Sequence, residues 1–358
     1  MTSRPSTDFP TVIARCAALG SFWLCCVSLA FAQEQAEALP RGITPQIQAA
    51  VRSGLQFLKR SQSADGSWRS AGGHGTYPTA MTGLAGMALV ASGSTPTRGP
   101  HWREIRQSMD YLIKRADPQT GVITEMATEN RNMYGHGFSL LYLASVYGME
   151  EDAQRQQKLH GVLTRGVKLI ERAQSGAGGW IYTPDSGGDE GSVTVTQVQA
   201  LRACRMGGIV VDKKTIDRAV DYIKKCQNPD GGISYSLGSR GASRPAISAA
   251  GVAVLYNAGV YDDQPFVDKA LKYVMKNVNP TTDNTGHHFY TQLYFSQALY
   301  QRGGKDWDDY LGKIGPWLVR NQKKDGSWEG DGVGQIYGTA IALTILQLPY
   351  ALVPIYQR

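Results

Sequence analysis

The sequence predicts an all-α protein, a single (α/α)6 toroid of six helix pairs, and three observations predict it. A short phrase recurs at helix ends: Gln62-Ser63-Ala64-Asp65-Gly66-Ser67-Trp68 and Gln322-Lys323-Lys324-Asp325-Gly326-Ser327-Trp328. Gln227-Asn228-Pro229-Asp230-Gly231-Gly232 is a weaker copy, and Gln174 to Trp180 keeps the Gln and Trp without the Asp. Repeated phrases at such intervals mark one supersecondary unit used many times. Second, helical segments alternate in character. One of each pair carries a single apolar stripe, as Ile216, Ala219, Val220 and Ile223 do among Asp217, Arg218, Lys224 and Lys225. The other is nearly free of charge, as from Ala80 to Leu89 and from Ala246 to Val254, and should be buried on almost every side. Third, the Asp-Gly pairs suit the reversals, because Gly tolerates positive φ and Asp accepts local backbone hydrogen bonds.

The pairs are expected at 44–62 and 77–92, 101–115 and 134–147, 151–174 and 192–206, 215–227 and 244–257, 264–277 and 288–301, and 307–322 and 337–348. Polar outer helices around apolar inner ones make two concentric layers. An open solenoid is the competing arrangement, but it would expose an apolar face at each end, whereas six pairs can close on themselves.

The first 32 residues read as an export signal, with Arg4 and Arg15 ahead of an apolar run from Cys16 to Ala30 and a small-x-small site at Ala30-Phe31-Ala32. Residues 33–43 form a linker and 44–358 the repeat domain. The apolar run is shorter than the roughly 20 residues a membrane span needs. The expectation is therefore an exported protein, periplasmic or extracellular, with no transmembrane segment once the signal is removed. The chain carries 37 Lys+Arg against 30 Asp+Glu, but the basic residues are mixed with acids on helices, which argues against a nucleic-acid partner. Three of the five cysteines lie in the signal. Cys204 and Cys226 remain and are expected unpaired, because a helix from Lys213 to Cys226 spans about 20 Å and a disulfide needs alpha carbons within about 7 Å.

The Gln-x-x-Asp-Gly-Ser-Trp phrase is followed by Tyr77-Pro78-Thr79-Ala80 and Tyr337-Gly338-Thr339-Ala340. Together they resemble the prenyltransferase and squalene-cyclase repeat superfamily. Met133-Tyr134-Gly135-His136-Gly137 and Gly286-His287-His288-Phe289-Tyr290-Thr291-Gln292 are similar to segments of its exported, often bacterial branch. The resemblance implies the toroid, with the Gln and Trp tying each outer helix to a neighbouring repeat. It also implies two chemistries, and this sequence departs from both. The cyclase acid motif is present in form as Asp306-Trp307-Asp308-Asp309, but it opens an outer helix, where acids suit the helix dipole. The Asp-x-Cys zinc pair of protein prenyltransferases is missing, no metal site is expected, and the sequence names no cofactor.

In this topology the inner helices all start at one mouth of the ring. His74, His136, His287 and His288 lie at those starts, with Tyr77, Tyr134, Asp185, Asp189, Glu190, Arg244, Tyr290, Asp331 and Tyr337. The converging positive helix ends favour an anion or acid there. His136, between two glycines, Asp189 and His288 are the candidate acid–base residues; His74, Tyr77, Tyr134, Arg244, Tyr290 and Tyr337 are the candidate ligand contacts. The expected function is binding of an isoprenoid, lipid or polymer segment in a central cavity. A toroid enzyme acting on polysaccharide and a non-catalytic interaction module stand as alternatives.

Overall fold

In the computed structural model, residues 39–185, 187–260 and 264–357 are described; the export-signal reading falls outside them. Twelve α-helices are found there: α1 (Pro45–Ser61), α2 (Pro78–Val90), α3 (Trp102–Arg115), α4 (Asn132–Tyr147), α5 (Ala153–Ala173), α6 (Gly191–Met206), α7 (Lys213–Lys225), α8 (Pro245–Asn257), α9 (Gln264–Asn277), α10 (His288–Arg302), α11 (Gly304–Asn321) and α12 (Gln335–Gln347). The even-numbered helices pack side by side in order, and α12 returns to α2, so the ring is closed. Each outer helix lies mainly on the inner helix of the preceding pair, α3 on α2 and α1 on α12. Every residue of α2 is buried, whereas α7 buries only Thr215, Ile216, Ala219, Val220, Tyr222 and Ile223. The side-chain caps Thr44, Asp152 and Asp212 start outer helices by accepting amides of Ile47, Arg155 and Lys214 at 3.2, 2.8 and 2.9 Å.

The recurring phrase works as a fastener between repeats. Gln62 donates to the carbonyls of Gly66 at 3.0 Å and Glu104 at 2.9 Å, reaching from its own turn to the next outer helix. Gln174 does the same with Gly178 and Thr215, and Gln227 with Gly231 and Phe266. Gln322 bonds Gly326 at 2.9 Å and, across the closure, Ala50 of α1 at 2.8 Å. Trp68, Trp180 and Trp328 are fully buried, and each indole N–H donates to the carbonyl ten residues back, in Leu58, Ile170 and Leu318. Gly326 has φ +90°, and a side chain there would meet the Ser53 carbonyl of α1 at 2.4 Å, so only glycine allows the turn to lie against the first helix.

The opposite end of the ring is covered by the C-terminal tail, where Val353, Ile355 and Tyr356 are buried. Asn257 donates to the Ile355 carbonyl at 2.9 Å and accepts from Gln199 at 2.8 Å; Gln199 also donates to Gln297 at 2.7 Å. A cavity of about 10 Å³, enough for one water, remains beside the tail between Tyr300, Thr344 and Tyr356. Cys204 and Cys226 are buried free thiols, and burial raises both, Cys226 to about 11. Among the described residues no helix is long and apolar enough to cross a membrane.

Candidate functional site

The inner-helix N-termini do gather at one mouth, and carboxylates cap three of them, those of α2, α6 and α10. Buried Glu129 accepts the Thr79 amide of α2 at 2.7 Å. Buried Glu190 accepts the amides of Ser192 and Val193 at the start of α6 at 2.8 and 2.7 Å. Asp331 takes those of Phe289 and Tyr290 in α10, both at 2.9 Å. The carboxylates therefore answer orphan helix amides. Burial raises both Glu190 and Asp331 above the ordinary carboxylate range, against the lowering effect of these bonds.

Around Glu190 the polar groups form a connected network. Tyr134 bonds Ser192 at 2.5 Å and Glu190 at 3.2 Å, and Tyr235 lies close to the same carboxylate. Tyr182 and Tyr235 share a hydroxyl–hydroxyl contact. Their backbones are fixed too, since the Tyr182 carbonyl accepts Met133 N of α4 at 3.0 Å and that of Tyr235 accepts Gly191 N of α6 at 2.7 Å. Arg131 stacks over Tyr182 and Arg244 over Tyr235, each guanidinium carbon 4.4 Å from the ring centre. Tyr290 completes the centre of the mouth. It is half-buried as a residue, yet its hydroxyl is enclosed without a hydrogen-bond partner. Burial first, then the neighbouring Tyr294, Tyr134, Glu190 and Tyr337, raise its pKa well above that of a free tyrosine.

The structure redirects three of the residues expected to act as acid or base. His136 is fully buried, its Nδ1 accepting the Ile123 amide at 3.1 Å and its Nε2 lying 3.2 Å from the Gly166 carbonyl. It fills the place of Thr82, Thr194, Ser248 and Thr339, whose hydroxyls accept the amides of Trp68, Trp180, Ile233 and Trp328. The flanking glycines do not open it to a ligand. A side chain at Gly135 would collide with Thr79 Oγ1 at 2.0 Å and one at Gly137 with Thr196 at 2.6 Å, so they let α4 pack closely on α2 and α6. Asp189 accepts the Tyr222 hydroxyl at 2.8 Å and the Leu237 amide at 2.9 Å, shares no partner with His136, and pins a loop to α7. His288 is buried against Trp317 of α11, ring centres 4.7 Å apart, so it faces the outer layer; burial lowers its pKa.

Of the expected ligand contacts, Tyr134, Tyr290, Tyr337 and Arg244 meet at the mouth, Tyr77 bonds Asn130 at 3.0 Å, and His74 is exposed. Arg131, Tyr182, Tyr235 and Glu129 escape a reading of the helix starts alone. A usable signal for two of them is position: Tyr182 and Tyr235 both stand two residues after the buried Trp180 or Ile233 that ends a fastener. Inside the ring, Gln199 of α6 donates to Gln297 of α10 at 2.7 Å, and both, with Tyr294, are essentially inaccessible. Asp306, Asp308 and Asp309 pair with Arg302, Arg41 and Lys305 on the outside of the ring, away from the mouth. No group of three or more His, Cys, Asp or Glu that could hold a metal occurs among the described residues.

No protein-family model and no curated protein matches the chain. Solved structures do. The type II terpene cyclase MstE from Scytonema is 17% identical, with a TM-score of 0.58 over 87% of this chain and 100% of that one; a variant of it is known in complex with its substrate, geranylgeranyl dihydroxybenzoate. The GH76A α-1,6-mannanase of Salegentibacter sp. HEL1_6 is 9% identical, with a TM-score of 0.63 over 86% and 99%, and an inactive variant of it holds α-1,6-mannotriose. The likeness read from the repeat phrase thus holds at the level of architecture: the chain has the (α/α)6 toroid fold found in a type II terpene cyclase and in an α-1,6-mannanase.

Proposed function

We propose that this protein is a binding module that receives a polar, hydroxyl-rich polymer segment at the inner-helix N-terminal mouth, and that it acts outside the cytoplasm after loss of residues 1–32. The observation that carries the reading is the contrast between mouth and axis. An isoprenoid needs an apolar pocket, commonly about 300–1,000 Å³, whereas inside this ring the polar Gln199 and Gln297 meet at 2.7 Å, buried with Tyr294. The mouth instead presents half-buried Tyr134, Tyr290 and Tyr337, the Tyr290 hydroxyl being enclosed and unpartnered. Tyrosine offers a flat face for a sugar ring and a hydroxyl for its oxygens. The oligosaccharide held by the mannanase supports a glycan on this architecture more than the terpenoid of the cyclase does.

The test is native mass spectrometry and calorimetry with neutral and acidic oligosaccharides, and with geranylgeraniol in detergent. An oligosaccharide is expected to bind, and Tyr337→Ala to weaken it by roughly tenfold, the value of one stacking contact of about 1–2 kcal/mol, with circular dichroism confirming the fold. Saturable binding of geranylgeraniol with no oligosaccharide bound would defeat the reading.

A further inference from the structure

Arg131 and Arg244 are exposed, and no carboxylate partner is found for either among the described residues. Both occupy N-cap positions, of α4 and α8, where the helix dipole disfavours a cation. Neither side chain caps its helix. Each instead places its guanidinium over the ring of a tyrosine whose carbonyl is fixed by an inner helix and whose hydroxyl touches the other tyrosine. The acid of this network, Glu190, is buried and engaged with the α6 amides and hydroxyls, and among the described residues it forms no ion pair with either arginine. The Tyr290 hydroxyl, whose neighbours include Tyr134 and Glu190 of the same network, is enclosed with no partner.

From this we infer that Arg131 and Arg244 are a preorganised two-point oxyanion site, and that the ligand of the mouth is an acidic polymer segment bearing an anionic group on more than one unit. The inference rests on the mouth-binding reading and adds its charge. A guanidinium presents a planar fork that matches a carboxylate, and stacking on tyrosine leaves its N–H edge free to donate. Because the two cations stand on separate rings, they meet two anionic groups of one chain.

Calorimetry with the full chain tests this with three probes: a short oligogalacturonate, the same oligomer as its methyl ester, and inorganic phosphate. Oligogalacturonate is expected to bind at least about tenfold more tightly than the ester, the least that one charged hydrogen bond contributes, and to weaken as salt rises. Arg131→Ala and Arg244→Ala should each remove most of that advantage, weakening the acid far more than the ester. Lysine at either position should restore only part of it, since it keeps the charge and loses the fork. Equal binding of acid and ester would overturn the charge inference and leave the mouth reading standing. So would acid binding indifferent to both arginines, whereas phosphate binding as tightly as the oligomer would overturn the polymer. No binding of any probe, with none of the neutral oligosaccharides bound either, would overturn both readings.

Discussion

Replacing Trp328 by alanine is expected to cost about 3–5 kcal/mol of stability and to lower Tm by roughly 10 °C. The indole is fully buried and donates to the Leu318 carbonyl at 2.7 Å, while its backbone amide donates to Thr339 at 3.0 Å. Alanine would leave a large void and an unmatched buried carbonyl. The position matters as well as the area. A side chain at Gly54 of α1 would meet Trp328 at 2.8 Å and Leu343 of α12 at 2.9 Å, so the indole sits where the first and last helices join. Trp180→Ala removes the same burial from the middle of the ring. Both variants should lose comparable free energy in urea, and only Trp328→Ala should also speed proteolysis within α1. A loss below about 1 kcal/mol for Trp328→Ala would refute the view that these tryptophans carry the repeat interfaces.

The fasteners also show why most of the fold could be read and where reading stopped. A Gln, a turn glycine and a Trp each meet a constraint that every repeat imposes, so they recur and can be recognised. In the second repeat the same turn is built differently. Asp117 N bonds the Val122 carbonyl at 2.8 Å just as Ser63 N bonds that of Ser67, but Ala116 and Ile123 stand where Gln and Trp would be, and the turn is one residue longer. That copy is invisible to the phrase and plain in the hydrogen bonds. The loop before α10 departs further, relying on Asn279, Asn284 and Gln292. The mouth was legible for a topological reason, since all inner helices must start at one end. Which way each side chain turns there depends on the packing of neighbouring helices. His288 lies against Trp317 and Asp189 under Tyr222 because those outer-helix partners come from elsewhere in the chain. The arginine–tyrosine pairs likewise join residues about 50 positions apart, or cross from a loop to a helix start.

His136 brings both lessons to one side chain. The longer turn holds the Ile123 amide where an imidazole reaches it, in place of the threonine or serine used in four other repeats. His136→Ala should therefore cost on the order of 3 kcal/mol at pH 7.5, from a new void and an unpaired buried amide. Burial also lowers the imidazole from an ordinary value of 6.5 to about 4. The unfolded chain then binds a proton that the folded one refuses throughout that window. Its contribution is fully present above pH 6.5 and is lost as pH falls toward 4, by about 3 kcal/mol in all at 1.36 kcal/mol per unit. His136→Gln keeps an acceptor without a titrating group. It should flatten the stability profile between pH 6.5 and 4.5, leaving the smaller slopes from buried His101 and His288, which burial lowers too. Urea unfolding of both variants across that range measures this directly. If His136→Ala keeps wild-type stability but loses binding at the mouth, the imidazole belongs to the ligand and the turn holds without it.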